Sequence, residues 1–346
     1  MPLPSGLVNL LYCPYCGATL TESGYLKDAG DVKDVVDKTW LSCAGCDIKF
    51  PVKEGISAFY DENTSDEVKL TQKKFSEMWR YRFADPHYHT LSNVYGFLPL
   101  EFSGWMADIF RETMGRPPSR IIEIGCGSGE KIALLARLFP EATVIGLDMA
   151  DSLALTKREF NELPNLHFVQ ADLHCMPFAP QSFDFVISIG VLHHTPDTNH
   201  AFEKVSNLLS ETGMYLTWIY PAPGEDEFWD ALYLQRDFHF GGEASRLPAE
   251  TAWWMSHIYG GFLLLPIMDL VKRYNERNSD RYPFSTRRMS IREFYDTVVF
   301  TTFDNIHPVY QHRHAKREVE SWYRQKGLMV KKLDMPGFYC GFSNKR

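Results

Sequence analysis

The sequence predicts an α/β fold in which a mostly parallel sheet follows a small cysteine-bearing module and is interrupted by a mainly helical insertion. Short β-type runs alternate with helical runs between residues 121 and 220, an order typical of βαβ units whose sheet is covered on both faces. Two Cys-x-x-Cys pairs lie within the first 46 residues. The alternation stops after Tyr220 and resumes near residue 313, which indicates an insertion into the sheet domain.

Changes in composition divide the chain into four parts. An acidic and polar run at residues 61–66 marks the end of the cysteine module, which we expect to be a small separate unit. Two β-type runs at 329–333 and 338–342 flank a Pro-Gly turn and predict an antiparallel edge of the sheet. The expected parts are the cysteine module (1–61), a helical region (62–116), the sheet core (117–220 with 313–346) and the insertion (221–312).

The overall composition is that of a globular protein with more than one structural unit. Hydrophobic residues make up 45% and charged residues 23% of the 346 residues, and the net charge of −8 argues against the broad basic surface of a nucleic-acid-binding protein. The longest apolar run, residues 260–267, is too short to cross a bilayer, and no N-terminal stretch has the sections of a signal peptide. We therefore expect a cytoplasmic protein with no membrane partner.

A glycine-rich loop follows the first strand of the predicted core. Residues 121–129 read Ile-Ile-Glu-Ile-Gly-Cys-Gly-Ser-Gly, so a buried strand runs directly into a turn and then a helix. These glycines let the backbone pass close to a ligand, and the N–H groups at the start of a helix favour an anionic group. The spacing differs from the G-x-G-x-x-G fingerprint of dinucleotide-binding folds.

Carboxylates follow the next two predicted strands. Asp148 ends the second strand, 25 residues past Glu123, where it can accept both hydroxyls of an unphosphorylated ribose. Asp172 follows the third strand and is placed to meet an adenine amino group. Because the carboxyl ends of parallel strands meet at one edge of a sheet, the glycine loop and these acids predict one nucleotide crevice.

Together these segments resemble class I S-adenosylmethionine (SAM)-dependent methyltransferases of the UbiE-like or methyltransferase-11 type. Residues 119–220 match the motifs of that family, and residues 313–346 resemble its closing helix and strands. The resemblance implies a Rossmann-like sheet of seven strands and SAM as the methyl donor. It further implies a contact surface for each part of SAM. The methionine part would contact Glu123, Gly125, Cys126, Gly127 and Gly129, and its amino group would lie near Ile189 and Gly190. The ribose would contact Asp148, and the adenine would contact Met149, Asp172 and Leu173.

The four cysteines of the N-terminal module predict a metal site. Cys13 with Cys16 and Cys43 with Cys46 form two knuckles, and two such turns supply the tetrahedral ligand set that zinc needs. Four sulfur ligands leave no open position, so we expect a structural Zn²⁺ site; iron in a rubredoxin-like site, or a redox role, is the alternative. Residues 50–57 resemble the end of Trm112-like zinc modules, which elsewhere partner methyltransferases.

Four histidines are candidates for a catalytic base. His193 and His194 lie in the loop that faces the transferable methyl in this fold, and a histidine with a near-neutral pKa suits removal of a proton from the acceptor. Holding that loop by hydrogen bonds is the alternative role. His312 and His314 alternate with Tyr310, so these three side chains would share one face of an extended segment. Metal binding by His307, His312 and His314 is a further alternative.

The insertion is rich in aromatic side chains. They would line an acceptor pocket above the methyl donor, and a packed helical cap or a homodimer contact is the alternative. The residues concerned are Phe228, Trp229, Tyr233, Phe238, His239, Phe240, Trp253, Trp254, Tyr259 and Phe262.

The leading functional hypothesis is a methyltransferase that acts on an oxygen or nitrogen nucleophile of a small molecule, aromatic or anionic, in a bacterial biosynthetic pathway. Residues 272–332 carry 14 Lys or Arg against 7 Asp or Glu, a net charge of +7 that could attract an anionic group or RNA. The second hypothesis is therefore an rRNA or tRNA methyltransferase that recognises RNA through its zinc module. An rRNA guanine methyltransferase group with an N-terminal zinc finger is similar, but its second knuckle includes a histidine that is absent here. A non-catalytic SAM-binding protein is the third hypothesis.

Overall fold

The computed structural model describes most of the chain. The described residues are 3–23, 39–60, 64–84, 99–226, 230, 243–259, 291–331, 333 and 337–343. The predicted aromatic positions 228, 229, 233, 238–240 and 262, and the basic residues between 272 and 288, lie outside them.

Eleven strands of the described residues form one continuous sheet, in the order β1-β2-β3-β4-β7-β6-β5-β8-β9-β11-β10. The strands are β1 (Leu20–Ser23), β2 (Thr39–Cys43), β3 (Lys49–Lys53), β4 (Ile56–Phe59), β5 (Arg120–Ile124), β6 (Thr143–Asp148), β7 (Leu166–Ala171), β8 (Phe183–Ile189), β9 (Leu209–Trp218), β10 (Met329–Lys331) and β11 (Phe338–Phe342). The last seven of these, β5 to β11, are the seven strands that the sequence predicts.

Helices cover both faces of the sheet, and two of them lie in the described part of the insertion. They are α1 (Ser5–Val8), α2 (Asp66–Ala84), α3 (Pro99–Met114), α4 (Glu130–Leu138), α5 (Leu153–Glu159), α6 (Thr198–Ser206), α7 (Ala249–Ile258), α8 (Ile291–Ile306) and α9 (Lys316–Gln325). Among the described residues, none of the helices combines the length and apolar content that crossing a bilayer requires.

The core strands read as continuous apolar runs because both of their faces are buried. Ile122 and Ile124 of β5 pack into the core on one face, whereas Ile121 packs into the core on the other. Strands β5 to β9 pair in parallel with one another, and β11 pairs antiparallel with both β9 and β10. The predicted antiparallel edge is therefore present.

The cysteine module is part of the same sheet, whereas its composition suggested a separate unit. Strand β4 pairs in parallel with β7, with Ser57, Ala58 and Phe59 opposite residues 169, 170 and 171. All four residues of β4 are buried, as expected of a strand covered on both faces. Phe50 and Phe59 also share one hydrophobic core with residues of β5 and β6. The module thus extends the sheet at its β7 edge.

Candidate functional site

A cavity of ≈ 210 Å³ lies at the carboxyl ends of β5, β6, β7 and β8. We call these strand ends and their loops the floor of the cavity. Its roof is formed by α2, the loop 191–197 and the segment 304–310, which contributes Asp304 and Tyr310. The floor residues that line the cavity include Ile124, Gly125, Leu147, Asp148, Met149, Ala171, Asp172, Leu173, Ile189 and Gly190.

The glycine loop forms a tight turn at one end of the floor. Gly125 N and Cys126 N donate to the Leu147 carbonyl at 2.7 and 3.0 Å, which fixes the loop to the end of β6. Gly125 has a φ of +71°, and a Cβ placed on it would lie 2.2 Å from a methyl group of Val191. Glycine is therefore required here both by the backbone angle and by the close approach of the roof.

Asp148 holds the glycine loop in place with its carboxylate. Its Oδ2 accepts from Gly127 N at 2.8 Å and its Oδ1 from Ala150 N at 2.8 Å. Burial raises the pKa of Asp148, although these backbone N–H groups lower it. Each oxygen has a second lone pair that can accept from a ligand, so the predicted role toward a ribose is compatible with the geometry.

Asp172 caps the short 3₁₀ turn Leu173–Cys175 with its side chain. Its Oδ1 accepts from His174 N at 2.8 Å, and its own N–H donates to the Phe59 carbonyl of β4 at 3.3 Å. Met149 lines the cavity nearby, and its carbonyl accepts from Gln72 Nε2 at 2.9 Å. The floor at this end is thus held by contacts from both the cysteine module and α2.

Glu123 lies under the glycine loop with both of its oxygens buried. Neither oxygen accepts a hydrogen bond from the described residues, and Lys131 Nζ lies 3.4 Å from Oε1 in an ion pair. Burial raises the pKa of Glu123 to about 7, against the lowering effect of Lys131. Lys131 itself lines the cavity, whereas Glu123, Cys126, Gly127 and Gly129 are not among the described lining residues.

Helix α2 presents one face to the cavity. The lining positions recur at helical spacing and are Val68, Thr71, Phe75, Met78, Trp79 and Arg82. Trp79 packs so closely on the glycine loop that a Cβ on Gly127 would lie 2.3 Å from its ring. The Arg82 guanidinium is buried and pairs with Glu130 at 2.5 Å, at the start of α4. Burial alone would raise the pKa of Glu130, but Arg82 and the Ser128 hydroxyl lower it.

His194 lines the cavity from the loop after β8. Its Nδ1 donates to the Tyr310 carbonyl at 2.7 Å, an arrangement that makes Nε2 the basic nitrogen of the ring. A ring nitrogen held by a backbone carbonyl in this way leaves the opposite nitrogen suited to take a proton.

His193 occupies a different environment from its neighbour. Its ring stacks on Tyr220 at 3.8 Å, and its Nδ1 accepts from Tyr220 N at 3.2 Å. Burial, together with His194, lowers the pKa of His193 well below its usual value. His193 is not among the described lining residues, so its predicted role as a base has no support from its position.

His312 and His314 hold the segment after α8 against the loop. His312 N donates to the His193 carbonyl at 2.9 Å, and His314 N donates to the Tyr220 carbonyl at 2.9 Å. His314 Nδ1 also lies 3.1 Å from Glu318 Oε1. Neither histidine lines the cavity in the described part of the chain, and Tyr310 does so instead.

A buried contact joins α2 to His307, in the segment that follows α8. Lys74 Nζ lies 3.4 Å from His307 Nδ1 and donates to the Leu247 carbonyl at 3.4 Å. Burial and the neighbouring Lys74 lower the pKa of His307 to about 3. Within the described residues, His307 does not join His312 and His314 in a group of converging metal ligands.

The four cysteine sulfurs of the N-terminal module converge. All four lie within 4.8 Å of one another, with Cys13 and Cys46 at 3.6 Å and Cys16 and Cys43 at 3.3 Å. Gly45 N donates to Cys43 Sγ at 3.3 Å, a contact typical of a knuckle that holds a thiolate. Among the described residues this is the one group of three or more potential ligands that comes together.

Part of the predicted aromatic cluster packs behind α2. Trp253 stacks on Tyr81 at 5.1 Å and meets Phe303 edge-on at 5.3 Å, in a small core with Met78. Trp254 is 60% exposed. Trp253 therefore supports α2 from behind, and neither tryptophan of α7 is among the described lining residues.

Comparison with known proteins covers the segment that carries the glycine loop. A sequence model described as "Methyltransferase domain" matches residues 117–229. These residues form a class I methyltransferase domain.

The relatives of this methyltransferase domain resemble it over short segments. The trans-aconitate 2-methyltransferase of Deinococcus radiodurans is 42% identical over 82 residues, 24% of this chain and 30% of the relative. The fatty-acid O-methyltransferase of Mycolicibacterium smegmatis is 35% identical over 98 residues, 28% of this chain and 35% of the relative. The plantazolicin methyltransferase BpumL, solved with S-adenosylhomocysteine, is 14% identical at a TM-score of 0.40, over 78% of this chain and 84% of that one. The chain spans about a third of the length of the curated relatives it matches.

Several cavity residues were not predicted from the sequence. Lys131, Trp79 and Arg82 line the cavity, but no motif marks them. Tyr310 lines it as well, whereas His312 and His314, which alternate with it in the sequence, do not. For Trp79 and Arg82 a signal existed, because cavity-lining positions of α2 recur every three or four residues as on one helical face. The Tyr310 hydroxyl donates to Glu67 of α2, and these two residues are 243 positions apart in the sequence.

Proposed function

We propose that this chain is a SAM-dependent methyltransferase that transfers a methyl group to an oxygen or nitrogen nucleophile of a small molecule. The observation that carries the proposal is that one cavity is lined by Asp148 and Asp172 on its floor and by His194 on its roof. The first two match the donor contacts of the family, and the third can act on the acceptor.

The residues of the floor fit the methyl donor. Asp148 would accept from the ribose hydroxyls, Asp172 from the adenine amino group, and the backbone of the glycine loop would lie along the methionine part. When bound, SAM supplies an electrophilic methyl group on a sulfonium. Glu123 and Lys131 form an ion pair beside the glycine loop and would lie near the methionine part, which carries an ammonium and a carboxylate.

His194 would serve as the general base for this reaction. His194 Nε2 would take up the proton that the acceptor oxygen or nitrogen loses when it is methylated. The Tyr310 carbonyl holds Nδ1–H throughout, so the ring keeps its orientation. His193, His312 and His314 would act on the position of the loop and not on the acceptor.

The chemistry of the roof favours a small acceptor over RNA. The roof side chains that line the cavity include Val68, Phe75 and Met78, which suit an apolar or aromatic body more than a phosphate chain. The names of the relatives, trans-aconitate and fatty-acid methyltransferases, also point to small molecules. Transfer to RNA is the alternative outcome of the acceptor experiment below.

The cysteine module would hold a structural zinc ion. Tetrahedral zinc with bonds of about 2.3 Å places its sulfur ligands about 3.8 Å apart, close to the separations observed. One zinc per chain is expected in the purified protein, measured by plasma emission spectrometry. Cys43→Ser should lose most of the metal; full retention of zinc in that variant, or iron in the wild type, would contradict this assignment.

Calorimetric titration with SAM tests the donor site. Asp148→Ala should weaken SAM binding by about a hundredfold, since the change removes the ribose acceptor and the two bonds that hold the loop. Asp151→Ala is the matched control, because Asp151 lies three residues further on and is exposed in its pair with Arg80. Equal affinity in Asp148→Ala and wild type would refute the proposed donor site.

Incubation with methyl-labelled SAM and fractionated cell extract tests the acceptor. Label is expected in the metabolite fraction and should be lost in His194→Gln, which retains a side chain that can hydrogen-bond but cannot act as the base. Label in the RNA fraction that ribonuclease removes would replace the small-molecule proposal with the RNA alternative. SAM binding without label in any fraction would indicate a non-catalytic protein.

A further inference from the structure

Tyr310 connects three parts of the cavity through three different groups. Its carbonyl accepts from His194 Nδ1 at 2.7 Å, and its hydroxyl donates to Glu67 Oε2 at 2.5 Å. Its side chain lines the cavity. The residue therefore joins the loop after β8 to the first turn of α2.

The position of the Tyr310 backbone decides the state of the His194 ring. A carbonyl oxygen can only accept, so at this distance it requires a proton on Nδ1 and leaves the lone pair on Nε2. If the carbonyl moved away, the imidazole would be free to carry its proton on Nε2. In that tautomer Nε2 is no longer the basic nitrogen of the ring.

The segment around Tyr310 is anchored on one side by backbone bonds. His312 N donates to the His193 carbonyl, and His314 N donates to the Tyr220 carbonyl, both at 2.9 Å. Tyr310 lies before these anchors, and its own hydroxyl bond reaches across to α2. This bond fixes the part of the segment that carries the carbonyl.

Glu67 is well placed to receive the hydroxyl. It lies in the first turn of α2, where a negative charge is favoured by the exposed N–H groups of the helix. Burial and the adjacent Glu67 carboxylate raise the pKa of Tyr310 to about 12, so the phenol stays protonated and keeps donating at neutral pH. The other contacts of α2, from Gln72 and Arg82, fix the helix to the floor.

We propose that Tyr310 is a positioning residue: its hydroxyl bond to Glu67 places its carbonyl so that His194 keeps the tautomer with a basic Nε2. This inference rests on the proposed role of His194 as the base. The first turn of α2 and the base thereby form one unit, and contacts within the roof set the protonation pattern of the His194 ring.

Long-range ¹H–¹⁵N correlation spectroscopy of the histidine rings tests this without an acceptor. The His194 signals are assigned by their absence in His194→Gln. In the wild type we expect the Nδ1–H tautomer. Tyr310→Phe and Glu67→Ala should each lower the ratio of Nδ1–H to Nε2–H by about fivefold, the change expected from loss of one neutral hydrogen bond. The double variant should change no further, because both substitutions break the same contact.

Two controls separate positioning from general damage. Glu67→Gln keeps an acceptor oxygen and should restore the ratio to within about twofold of the wild type. Tyr295→Phe removes a comparable hydroxyl bond, to His257 Nδ1 at 3.0 Å, away from the cavity and should leave His194 unchanged. Circular dichroism should match the wild type in all of these variants. SAM affinity should match it in the Glu67 and Tyr295 variants, since neither residue is among the described lining residues and the contacts of α2 with the floor remain.

Three results would overturn the proposal. They are an Nε2–H tautomer in the wild type, an unchanged ratio in both Tyr310→Phe and Glu67→Ala, and a shift in Glu67→Gln as large as that in Glu67→Ala. Each of them leaves the proposed donor site intact if SAM still binds. Failure of the wild type to bind SAM would instead contradict the proposed function itself.

Discussion

The floor and the roof of the cavity are held together over different distances in the sequence. On the floor, Gly127 N and the Asp148 carboxylate are 21 residues apart and joined at 2.8 Å. On the roof, the contact between Glu67 and Tyr310 spans 243 residues, and that between Lys74 and His307 spans 233. The floor is a product of local βαβ connections, whereas the roof exists only after distant segments have met.

This difference also concerns the chemical groups that make the contacts. The floor relies on backbone N–H groups that any sequence with the correct glycines would supply. The roof relies on single side chains, several of them charged and buried, whose loss leaves a partner without compensation. Substitutions of these roof side chains should therefore lower the free energy of unfolding by more than the loss of the contact alone, because the buried partner remains uncompensated.

The largest effect is expected where a buried charge joins the roof to the floor. Arg82→Met should lower the free energy of unfolding by about 3 kcal/mol, because the Glu130 carboxylate then stays buried without its cation. Urea unfolding measures the change. Arg137→Met is the matched control: Arg137 pairs with Glu162 at 2.7 Å, but both side chains are about half exposed, so less than about 1 kcal/mol should be lost. Equal losses in both variants would show that burial of the pair does not matter.

A smaller effect is expected where Trp79 of the roof packs on the glycine loop. Gly127→Ala should cost about 2 kcal/mol in unfolding free energy, from the clash with the Trp79 ring and from the positive φ of +53°. In a Trp79→Ala background the cost of the same change should fall to about 1 kcal/mol, which is the share due to the backbone angle. Gly224→Ala isolates that share, because Gly224 has a φ of +86° with nothing within 4 Å of a Cβ. If the cost were the same with and without Trp79, the two residues would not be coupled.

The smallest effect is a difference in pH dependence. The pKa of His307 is lowered to about 3 in the folded chain, whereas a histidine in the unfolded chain has a pKa of about 6.5. Between these two pH values His307 is protonated in the unfolded state but not in the folded state. Its contribution to stability is complete above pH 6.5 and is lost as the pH falls toward 3. In urea unfolding between pH 6.5 and 5, His307→Gln should therefore lose less stability than wild type, by about 1 kcal/mol per pH unit. His200→Gln, on the exposed surface of α6, should follow the wild type; equal slopes in all three proteins would contradict the expectation.

The floor could be predicted from the sequence because its signals are local. The strand predicted at 121–124 is found at Arg120–Ile124, and that predicted at 143–147 is found at Thr143–Asp148. Asp148 and Asp172 line the cavity as the order of strands and acids implied. Each signal lies within a few residues of the feature that it predicts, so no knowledge of the rest of the chain was needed.

The roof and the place of the module could not be predicted in the same way. Four histidines had the right chemistry, but the sequence did not distinguish His194, which lines the cavity, from His193, which stacks on Tyr220. That distinction depends on the segment around Tyr310, more than a hundred residues away. Likewise, the acidic run after residue 60 suggested a separate module, and the pairing of β4 with β7 depends on a register that no local pattern contains.

The pairing of β4 with β7 protects the chain against aggregation through an open sheet edge. Without the module, the backbone N–H and C=O groups of β7 would form an open sheet edge, which readily recruits strands from other molecules. At the opposite end the sheet finishes in β10, whose three residues offer little for another strand to join. We therefore expect a chain shortened to begin at residue 64 to aggregate even if its cavity is intact. In that case the zinc ion proposed for the cysteine module would also protect solubility, by stabilising the strand that covers β7.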